Sequence, residues 1–223
     1  LYRKGLFAAS RKKRMKRELC ELMQQASVCL GISDAMCEAY EKRYNKPFKT
    51  FHNAVPAEEW LEKARKNWKA GKPFKIVYAG ALMENSQLQS VKDAALAVSE
   101  LRQEAGWEGE LDIYSPWFFA NKFRRELEKY DGTRVYDAPD SMDITQIFTK
   151  ADVLLLPVNF DESSVRYIRY SMPNKIPAYM FSGTPTLAYG PANVASMQYA
   201  NTWSHTVTAR SIDELKFAIK QLA

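Results

Sequence analysis

Three polar residues before a predicted helix, Ser171, Asn174 and Lys175, have the chemistry to hold a phosphate. Asn174 is a candidate N-cap, and Pro177 then falls in the first turn, where its missing N–H would have had no partner. Free backbone N–H groups and the positive end of the helix dipole would favour an anion beside the Lys175 ammonium. The other interpretation is that these residues only cap and solvate the helix, since caps are far commoner than anion sites.

Two acidic residues lie in the polar loop that precedes this helix. Asp161 and Glu162 fall within residues 159–164, directly after the apolar run Val153–Pro157. Either carboxylate could act on the hydroxyl group of a substrate. Acidic side chains in polar surface loops are more often only solvated, so both interpretations stay open.

The chain contains no Walker loop, no GxGxxG and no HExxH motif. His52 and His205 are far apart in sequence and no nucleophile pairs with them, so both are predicted to be structural. Cys20, Cys29 and Cys37 are not spaced as metal ligands and are typical of a reducing compartment, the cytosol. We therefore predict no bound metal and no cofactor.

The residues around the candidate phosphate site have the pattern of a strand–helix–strand unit. Val153–Pro157 is an unbroken apolar run, which suits a strand covered on both faces of a parallel sheet. The helix after the polar loop is predicted to end at Gly183, because glycine readily adopts the left-handed conformation of helix ends. Thr186–Tyr189 is the next predicted strand. Open parallel sheets bind ligands at the edge where such strands end.

The same alternation covers the chain from Phe74 onward. Strands are predicted at residues 75–79, 111–114, 134–136, 153–157, 186–189 and 206–208. Other helices are predicted at residues 86–104, 117–130, 143–150, 193–199 and 211–222, with capping boxes at Asp143 with Gln146 and Ser211 with Glu214. Such alternation predicts an α/β fold, a Rossmann-like parallel sheet with helices on both faces.

Short segments that follow the predicted strands would converge on one crevice at the carboxyl edge of the sheet. They are Gly80–Leu82, Ser115–Pro116, Asp137–Pro139, the loop 159–164 and Tyr189–Gly190. Gly80 has no side chain, so a ligand could approach the backbone closely there. It could equally be an ordinary turn glycine.

The residues before the alternating region form a separate predicted unit. A helix, a buried strand and a second helix are predicted at residues 6–25, 27–32 and 34–44, the last capped by Ser33 or Asp34. A charged connector at residues 56–73 joins this unit, residues 1–55, to the alternating region, residues 74–223. The boundary between the two units is expected between Asn53 and Pro73.

The net charge of +6 comes from the N-terminal residues of the chain. Residues 1–18 carry one acidic side chain, Glu18, and eight basic ones, Arg3, Lys4, Arg11, Lys12, Lys13, Arg14, Lys16 and Arg17. Taking these from the 32 basic and 26 acidic residues of the chain leaves 24 and 25, so the rest is nearly neutral. A basic helix is usually a solvated face, but residues 3–17 could instead lie on an anionic membrane surface. Nucleic acid is not expected as a partner, because no basic patch with interleaved aromatic residues follows.

The ends and the hydropathy of the chain set two further expectations. No apolar run approaches the roughly 20 residues that span a bilayer, and no signal peptide opens the chain. The first residue is Leu1 rather than Met, so we expect a piece of a longer protein. Together with the cysteine pattern, this favours a cytoplasmic protein, peripheral at the inner membrane face if the basic helix binds lipid.

Several of these segments resemble one family of enzymes, in matching order and spacing over nearly the whole chain. The segments are Val77–Gly80, Ala151–Pro157, Ser171–Lys175, Tyr179 and Ser182–Pro185, and upstream Ile32–Met36, Tyr40, Tyr44, Lys46–Phe48 and Asn53. They are similar to the C-terminal, donor-binding lobe of two-lobed (GT-B) nucleotide-sugar glycosyltransferases of the family-4 group. By this resemblance residues 1–55 are the end of the acceptor-binding lobe, and we expect the chain alone to be inactive.

The resemblance implies transfer of a sugar from a nucleoside diphosphate to an acceptor hydroxyl, usually with retention and without a bound metal. The acceptor would be a saccharide or lipid-linked molecule, in cell-surface polysaccharide or glycoconjugate assembly. The diphosphate and sugar would contact Gly80, Ala81, Asp161, Glu162, Ser163, Ser164, Ser171, Met172, Pro173, Asn174 and Lys175. The base and ribose would contact Ser115, Pro116, Asp137, Ala138 and Tyr179.

Two positions depart from the pattern of that family. The family commonly has a glutamate for the ribose hydroxyls where this chain has Ala178. It often has a basic pair soon after the Gly80 position, where residues 84–87 contain none and the next cation is Lys92. Two alternatives therefore stay open: a nucleotide-binding or scaffold lobe without transfer activity, and a GT-B-fold epimerase that acts on the nucleotide sugar itself.

Overall fold

The computed structural model describes residues 7–104, 106–139 and 141–223, with the side chains of residues 141–143 left out. The chain forms two compact units, Leu1–His52 and Asn53–Ala223. The predicted connector at residues 56–73 therefore lies within the larger unit.

The smaller unit contains two helices and a two-stranded parallel sheet, α1 Ala8–Gln25, β1 Leu30–Gly31, α2 Asp34–Tyr44 and β2 Lys49–Thr50. Its buried core consists of Cys29, Cys37, Tyr44 and Phe48. Ser33 caps α2 as predicted, and its hydroxyl accepts a hydrogen bond from the Met36 N–H at 3.1 Å. The strand predicted at residues 27–32 shrinks to β1, because Val28 and Leu30 are exposed rather than covered.

The larger unit is built on a six-stranded, fully parallel sheet in the order β5-β4-β3-β6-β7-β8. Its strands are β3 Phe74–Ala79, β4 Gly109–Ser115, β5 Thr133–Asp137, β6 Val153–Pro157, β7 Thr186–Tyr189 and β8 Thr206–Ala209. The predicted α/β fold with a Rossmann-like parallel sheet is confirmed. The order reverses between β3 and β6, where the chain first builds β4 and β5 on one side and then crosses to the other.

Helices cover both faces of this sheet. They are α3 Ala57–Lys63, α4 Leu88–Leu101, α5 Trp117–Leu127, α6 Ser141–Lys150, α7 Glu162–Ile168, α8 Ile176–Ser182, α9 Ala195–Ala200 and α10 Ile212–Leu222. On one face, Phe74, Ile76 and Tyr78 of β3 pack in a core with apolar residues of α4, α5 and α10. On the other face, α8 lies near α3 and α6. Tyr179 of α8 contacts Phe148 of α6 with ring centroids 5.0 Å apart.

The main differences from the predicted elements lie around the polar loops. Residues 162–168 form α7, a helix that was not predicted, so the predicted loop at 159–164 ends early. The helix predicted between the Asn174 cap and Gly183 is α8. The helix α6 begins at Ser141, two residues before the predicted cap Asp143, whose side chain lies outside the described residues. Gly183 does end α8 in the left-handed conformation, with φ of 71°. Ser211 caps α10 as predicted, accepting from the Glu214 N–H.

A buried carboxylate joins the connector to the start of the central strands. Asp152 is 4% exposed, and its two carboxylate oxygens accept hydrogen bonds from the backbone N–H groups of Gly71 (3.0 Å) and Lys75 (2.8 Å). The Arg65 guanidinium lies 3.6 Å from Asp152 and also donates to the Ala151 carbonyl. These bonds explain why the connector belongs to the larger unit.

We expect Asp152→Ala to lower the free energy of unfolding by about 3–5 kcal/mol, because Arg65 and two backbone N–H groups lose their partner in a buried site. Urea denaturation followed by circular dichroism measures this loss. Asp131→Ala is the matched control, since Asp131 is an exposed carboxylate paired with Arg102 at 2.6 Å and its removal should have far less effect. Equal losses in the two variants would contradict the role given to Asp152.

Candidate functional site

The reversal of strand order places the ends of β3 and β6 side by side at the carboxyl edge of the sheet. In open parallel sheets, ligands bind outside the strands at this switch point. Gly80 directly follows β3, and Asn159 lies two residues beyond the end of β6. Both segments therefore lie where a ligand of this fold would be expected.

Lys175 lies against the end of β3. Its Nζ is 4.0 Å from the centroid of the Tyr78 ring. A Cβ built on Gly80 would lie only 2.6 Å from that Nζ and 3.0 Å from the Tyr78 hydroxyl. Gly80 also has φ of +149°, a conformation that side chains disfavour. The glycine is thus required for the lysine to reach the sheet edge, and the two residues predicted to share the site do lie together.

The Lys175 ammonium has an unusual electrostatic environment. No ion pair joins it to any carboxylate in the part of the chain that the structure describes. Burial lowers the pKa of Lys175 to about 7, because the surroundings solvate the charged form poorly. The face of the Tyr78 ring is its aromatic contact. An anion bound beside this group would stabilise its charged form.

The segment before α8 differs from its prediction in one respect. The helix begins at Ile176, so its N-cap is Lys175, which makes no side-chain capping bond, rather than Asn174. Asn174 is exposed and its side-chain oxygen accepts a hydrogen bond from the Asn53 amide. The helix has only seven residues, so the ammonium, more than the helix dipole, is the feature of this segment that would favour an anion.

The other residues of the segment contribute little side chain to the site. Ser171 is exposed, and its N–H donates to the Ile168 carbonyl. Met172 is 8% exposed and packs inward. The Pro173 carbonyl accepts a hydrogen bond from the Ile176 N–H and so closes the turn before α8.

Asp161 caps α7. Its carboxylate accepts hydrogen bonds from the Ser163 hydroxyl at 2.6 Å and the Ser164 N–H at 3.0 Å. These hydrogen bonds lower the pKa of Asp161 to about 2. The carboxylate is therefore ionised at neutral pH and can accept, but not donate, a hydrogen bond to a ligand. Glu162 is exposed in the first turn of α7.

Asn159 connects the two segments at the switch point, a role that the sequence did not predict. Its side chain is 1% exposed, accepts from the Ser90 N–H at 3.1 Å and donates to the Glu84 carbonyl at 2.9 Å. It also donates to the Ser164 hydroxyl at 3.3 Å, so Ser164 is buried and serves the scaffold. The position of Asn159 just after a buried strand was the feature of the sequence that could have indicated this role. Ser90 and Glu84 are about 70 residues away in sequence, so these hydrogen bonds could not be predicted from the local pattern.

The segments after β4 and β5 are less open than predicted. The Ser115 side chain is fully buried, and its carbonyl accepts from the Ala138 N–H at 2.8 Å. Pro116 is exposed and precedes α5. Asp137 is exposed and accepts from Arg124 at 3.2 Å. Only Pro116, Asp137 and Ala138 remain accessible to a ligand among the residues predicted to hold a base or ribose.

Tyr179 has to be removed from the candidate site. Its side chain is 0% exposed, and its hydroxyl donates to the Leu155 carbonyl at 3.1 Å beneath the sheet. It packs on Phe148 as a core residue. Ala178 is also buried on the inner side of α8. Because the N-cap of α8 was predicted one residue too early, the sequence did not show which residues of this short helix face the core.

Two other features limit the chemistry of the site. Lys92, the cation nearest in sequence after Gly80, is held by Glu126 at 2.7 Å and does not supply the missing basic pair. Within the described residues, no three His, Cys, Asp or Glu side chains come together as metal ligands. Among the helices described, none is long and apolar enough to span a bilayer.

Comparison with solved structures relates the fold to glycosyltransferases. The chain is similar to an α,α-trehalose-6-phosphate synthase from Burkholderia multivorans, with 13% identity, a TM-score of 0.65, and coverage of 92% of this chain and 53% of that one. It is similar to HepE of Anabaena, solved with UDP-glucose, at 14% identity, TM-score 0.61, covering 92% and 57%. It is also similar to the lipopolysaccharide outer core galactosyltransferase WaaB, at 17% identity, TM-score 0.57, covering 88% and 53%.

These neighbours are glycosyltransferases of the GT-B fold, so the predicted resemblance is confirmed at the level of the fold. The chain spans about half the length of each of the three structures. No protein-family model matches the chain, and no curated protein sequence matches it significantly.

Replacing Lys175 by Met should remove a pH dependence from the stability of the protein. The pKa of Lys175 is about 7 in the fold against 10.5 for an ordinary lysine, so between these values the unfolded state binds more protons. Stability must then rise with pH across this interval, while below about pH 7 the full cost of the buried charge remains. We expect the stability of the wild type relative to Lys175→Met to increase between about pH 7 and pH 9 in urea denaturation. A stability difference that stays constant with pH would contradict the lowered pKa of Lys175. The control is Lys66→Met at an exposed position, whose stability difference from the wild type should not change with pH.

Proposed function

We propose that the larger unit is the donor-binding lobe of a glycosyltransferase and holds a nucleoside diphosphate sugar at the switch point. The diphosphate would lie against Gly80 and the Lys175 ammonium, and the sugar beside Asp161 and Glu162. The base and ribose would lie beside Pro116 and Asp137, at the ends of β4 and β5. The acceptor would be a saccharide or lipid-linked molecule, as in polysaccharide or glycoconjugate assembly.

The observation that carries this proposal is the ammonium of Lys175, which lies where a side chain of residue 80 would be and has no ion pair with any described residue. A structural lysine in such a place would be expected to have a carboxylate partner, because an unpaired buried charge is costly. A diphosphate supplies the missing charge and acceptor oxygens. During sugar transfer, negative charge develops on the departing diphosphate, and a fixed ammonium there stabilises it.

Two further observations support the same proposal. The fold is that of GT-B glycosyltransferases, and HepE, which shares it, was solved with UDP-glucose. Trp117 and Phe118 are 66% and 65% exposed at the start of α5 and offer aromatic surface beside the predicted base position. The exposed carboxylate of Asp137 lies at the end of the adjacent strand.

We expect Lys175→Ala to weaken binding of a nucleoside diphosphate by about 1–3 kcal/mol, or about 5- to 150-fold, the scale of a charge-assisted hydrogen bond. Isothermal titration calorimetry with UDP, GDP and ADP measures the affinity and the base preference. Binding depends only on the larger unit, so transfer activity is not needed for the test.

Lys66→Ala is the matched control, because Lys66 is exposed in the connector and its neighbour Arg65 contacts the amino end of β6, away from Gly80. It should leave the affinity unchanged. Equal affinity in wild type and Lys175→Ala would remove Lys175 from the site. No binding of any of the three nucleotides to the wild type would favour the scaffold alternative.

We also propose that α1 contacts an anionic membrane surface, on the cytoplasmic side. None of its residues is buried, and Phe7, Met15, Leu19 and Leu22 are 70%, 38%, 37% and 58% exposed. Lys12, Lys13 and Lys16 make no ion pair with any residue that the structure describes. An apolar stripe with free cations beside it is typical of interfacial helices. Of the predicted contact at residues 3–17, Arg3 and Lys4 lie outside the described residues.

The double variant Lys13→Gln/Lys16→Gln should bind vesicles of phosphatidylglycerol more weakly by about 2 kcal/mol, since each basic residue contributes about 1 kcal/mol near an anionic surface. Co-sedimentation with vesicles measures the partition, and vesicles of phosphatidylcholine should bind neither protein. Lys63→Gln/Lys66→Gln is the control with the same change of charge in the other unit. Equal effects of the two double variants would show attraction to net charge alone and would overturn the assignment to α1.

A further inference from the structure

The strand β4 departs from the rule for central strands of a parallel sheet. Such strands are covered on both faces and carry apolar residues on both. The strand β6 obeys this rule, with Leu154 and Leu156 on the face of α6 and α8. On the same face β4 carries Asp112 and Tyr114, and Asp112 pairs in register with Val77 of β3. A carboxylate therefore occupies the centre of a sheet face.

A cavity of about 300 Å³ lies over these residues, between α6 and the sheet. Lys75, Asp112, Tyr114 and Lys150 line it, together with Gln146 and Ile147 of α6. This volume is at the lower end of small-molecule sites. At its Lys75 end the cavity lies about 16 Å along the strand direction from Gly80, which follows five residues later. At its other end Tyr114 pairs in register with Ala79, and the Tyr114 carbonyl accepts a hydrogen bond from the Gly80 N–H, so the cavity extends toward the switch-point site.

The charges around the cavity do not neutralise one another. Asp112 is 7% exposed, and its Oδ1 has no hydrogen-bond partner. In the described part of the chain, no ion pair joins Asp112, Lys75 or Lys150 to any side chain, while nearby Glu110 pairs with Arg134 at 3.5 Å. Burial raises the pKa of Asp112, and the neighbouring Glu110 adds to this rise. The charges of Lys75 and Arg134 and a hydrogen bond with the Tyr136 side chain oppose it with smaller effects. A buried carboxyl oxygen without a hydrogen-bond partner lowers the stability of the fold unless a ligand donates a hydrogen bond to it.

The arrangement selects the charge of a ligand. A simple anion would meet Asp112, and a simple cation would meet Lys75 and Lys150. A molecule with one ammonium and one acidic group satisfies both kinds of residue. The Tyr114 ring, stacked on Tyr136 at 5.0 Å, adds an aromatic wall.

We propose that this cavity is a second binding site, for a small zwitterion that places its ammonium on Asp112 and its acidic group between Lys75 and Lys150. The ligand class includes free amino acids and amino sulfonates.

Taurine is the probe, titrated while the backbone amide NMR shifts of residues 112 and 114 are followed. Ethylamine and ethanesulfonate each carry one of its two charges, and we expect both to bind at least tenfold more weakly than taurine. Asp112→Asn and Lys150→Gln should each weaken taurine at least tenfold. Lys129→Gln is the control, because Lys129 follows α5, which packs on the opposite face of the sheet, and it should change nothing.

The melting temperature of unliganded Asp112→Asn separates a binding role from a structural one. We expect it to equal or exceed that of the wild type, because a buried carboxyl without an ion pair is replaced by a neutral amide. If this variant fails to fold, Lys150→Gln decides the question, since Lys150 is exposed. Absence of taurine-induced shifts, equal affinity for ethanesulfonate, or undiminished binding in Lys150→Gln would overturn the proposal.

Discussion

The pairing of β3 with β6 is the contact on which the larger unit depends. It joins the two halves of the sheet through only two register pairs, Ile76 with Val153 and Val77 with Leu154. Buried polar side chains reinforce it at both ends: Asp152 binds the backbone where β3 begins, and Asn159 binds the segment that follows β3. Because these bonds span loops of about 70 residues or more, they fix the relative position of segments that sequence separates widely.

The pairing of β3 with β6 fixes the sheet edge against which the Lys175 ammonium lies, and its poorly solvated position there lowers its pKa. A flexible lysine on the surface would extend into water and keep its ordinary pKa. Here α8 begins at the sheet edge, and the missing side chain of Gly80 leaves room for the ammonium against Tyr78. An ammonium held near neutrality in a poorly solvated place gains more from an anion than an exposed one does, since the local dielectric is lower.

Much of the fold could be predicted from the sequence, and the parts of the site that could not be predicted have physical reasons. The apolar run of β6 and the alternation after Phe74 fixed the sheet, because a strand covered on both faces leaves a clear pattern. Gly80 and Lys175 were predicted to meet, since the ends of neighbouring parallel strands share one edge. Tyr179 and Asn159 were not placed correctly, because the facing of a seven-residue helix and a hydrogen bond across about 70 residues leave no local signal.

The distinction between structural and functional polar residues in this unit rests on whether their partners lie in the chain. Asp152 and Asn159 are buried, 4% and 1% exposed, and their carboxylate and amide groups are hydrogen-bonded to backbone groups of the chain. Lys175 and Asp112 are titratable, poorly solvated, and without an ion pair among the described residues. Folding alone would favour replacing either by an apolar side chain, because an unpaired buried charge costs stability. Packing therefore gives no reason for either residue, and this is the reason why both are proposed to bind ligands.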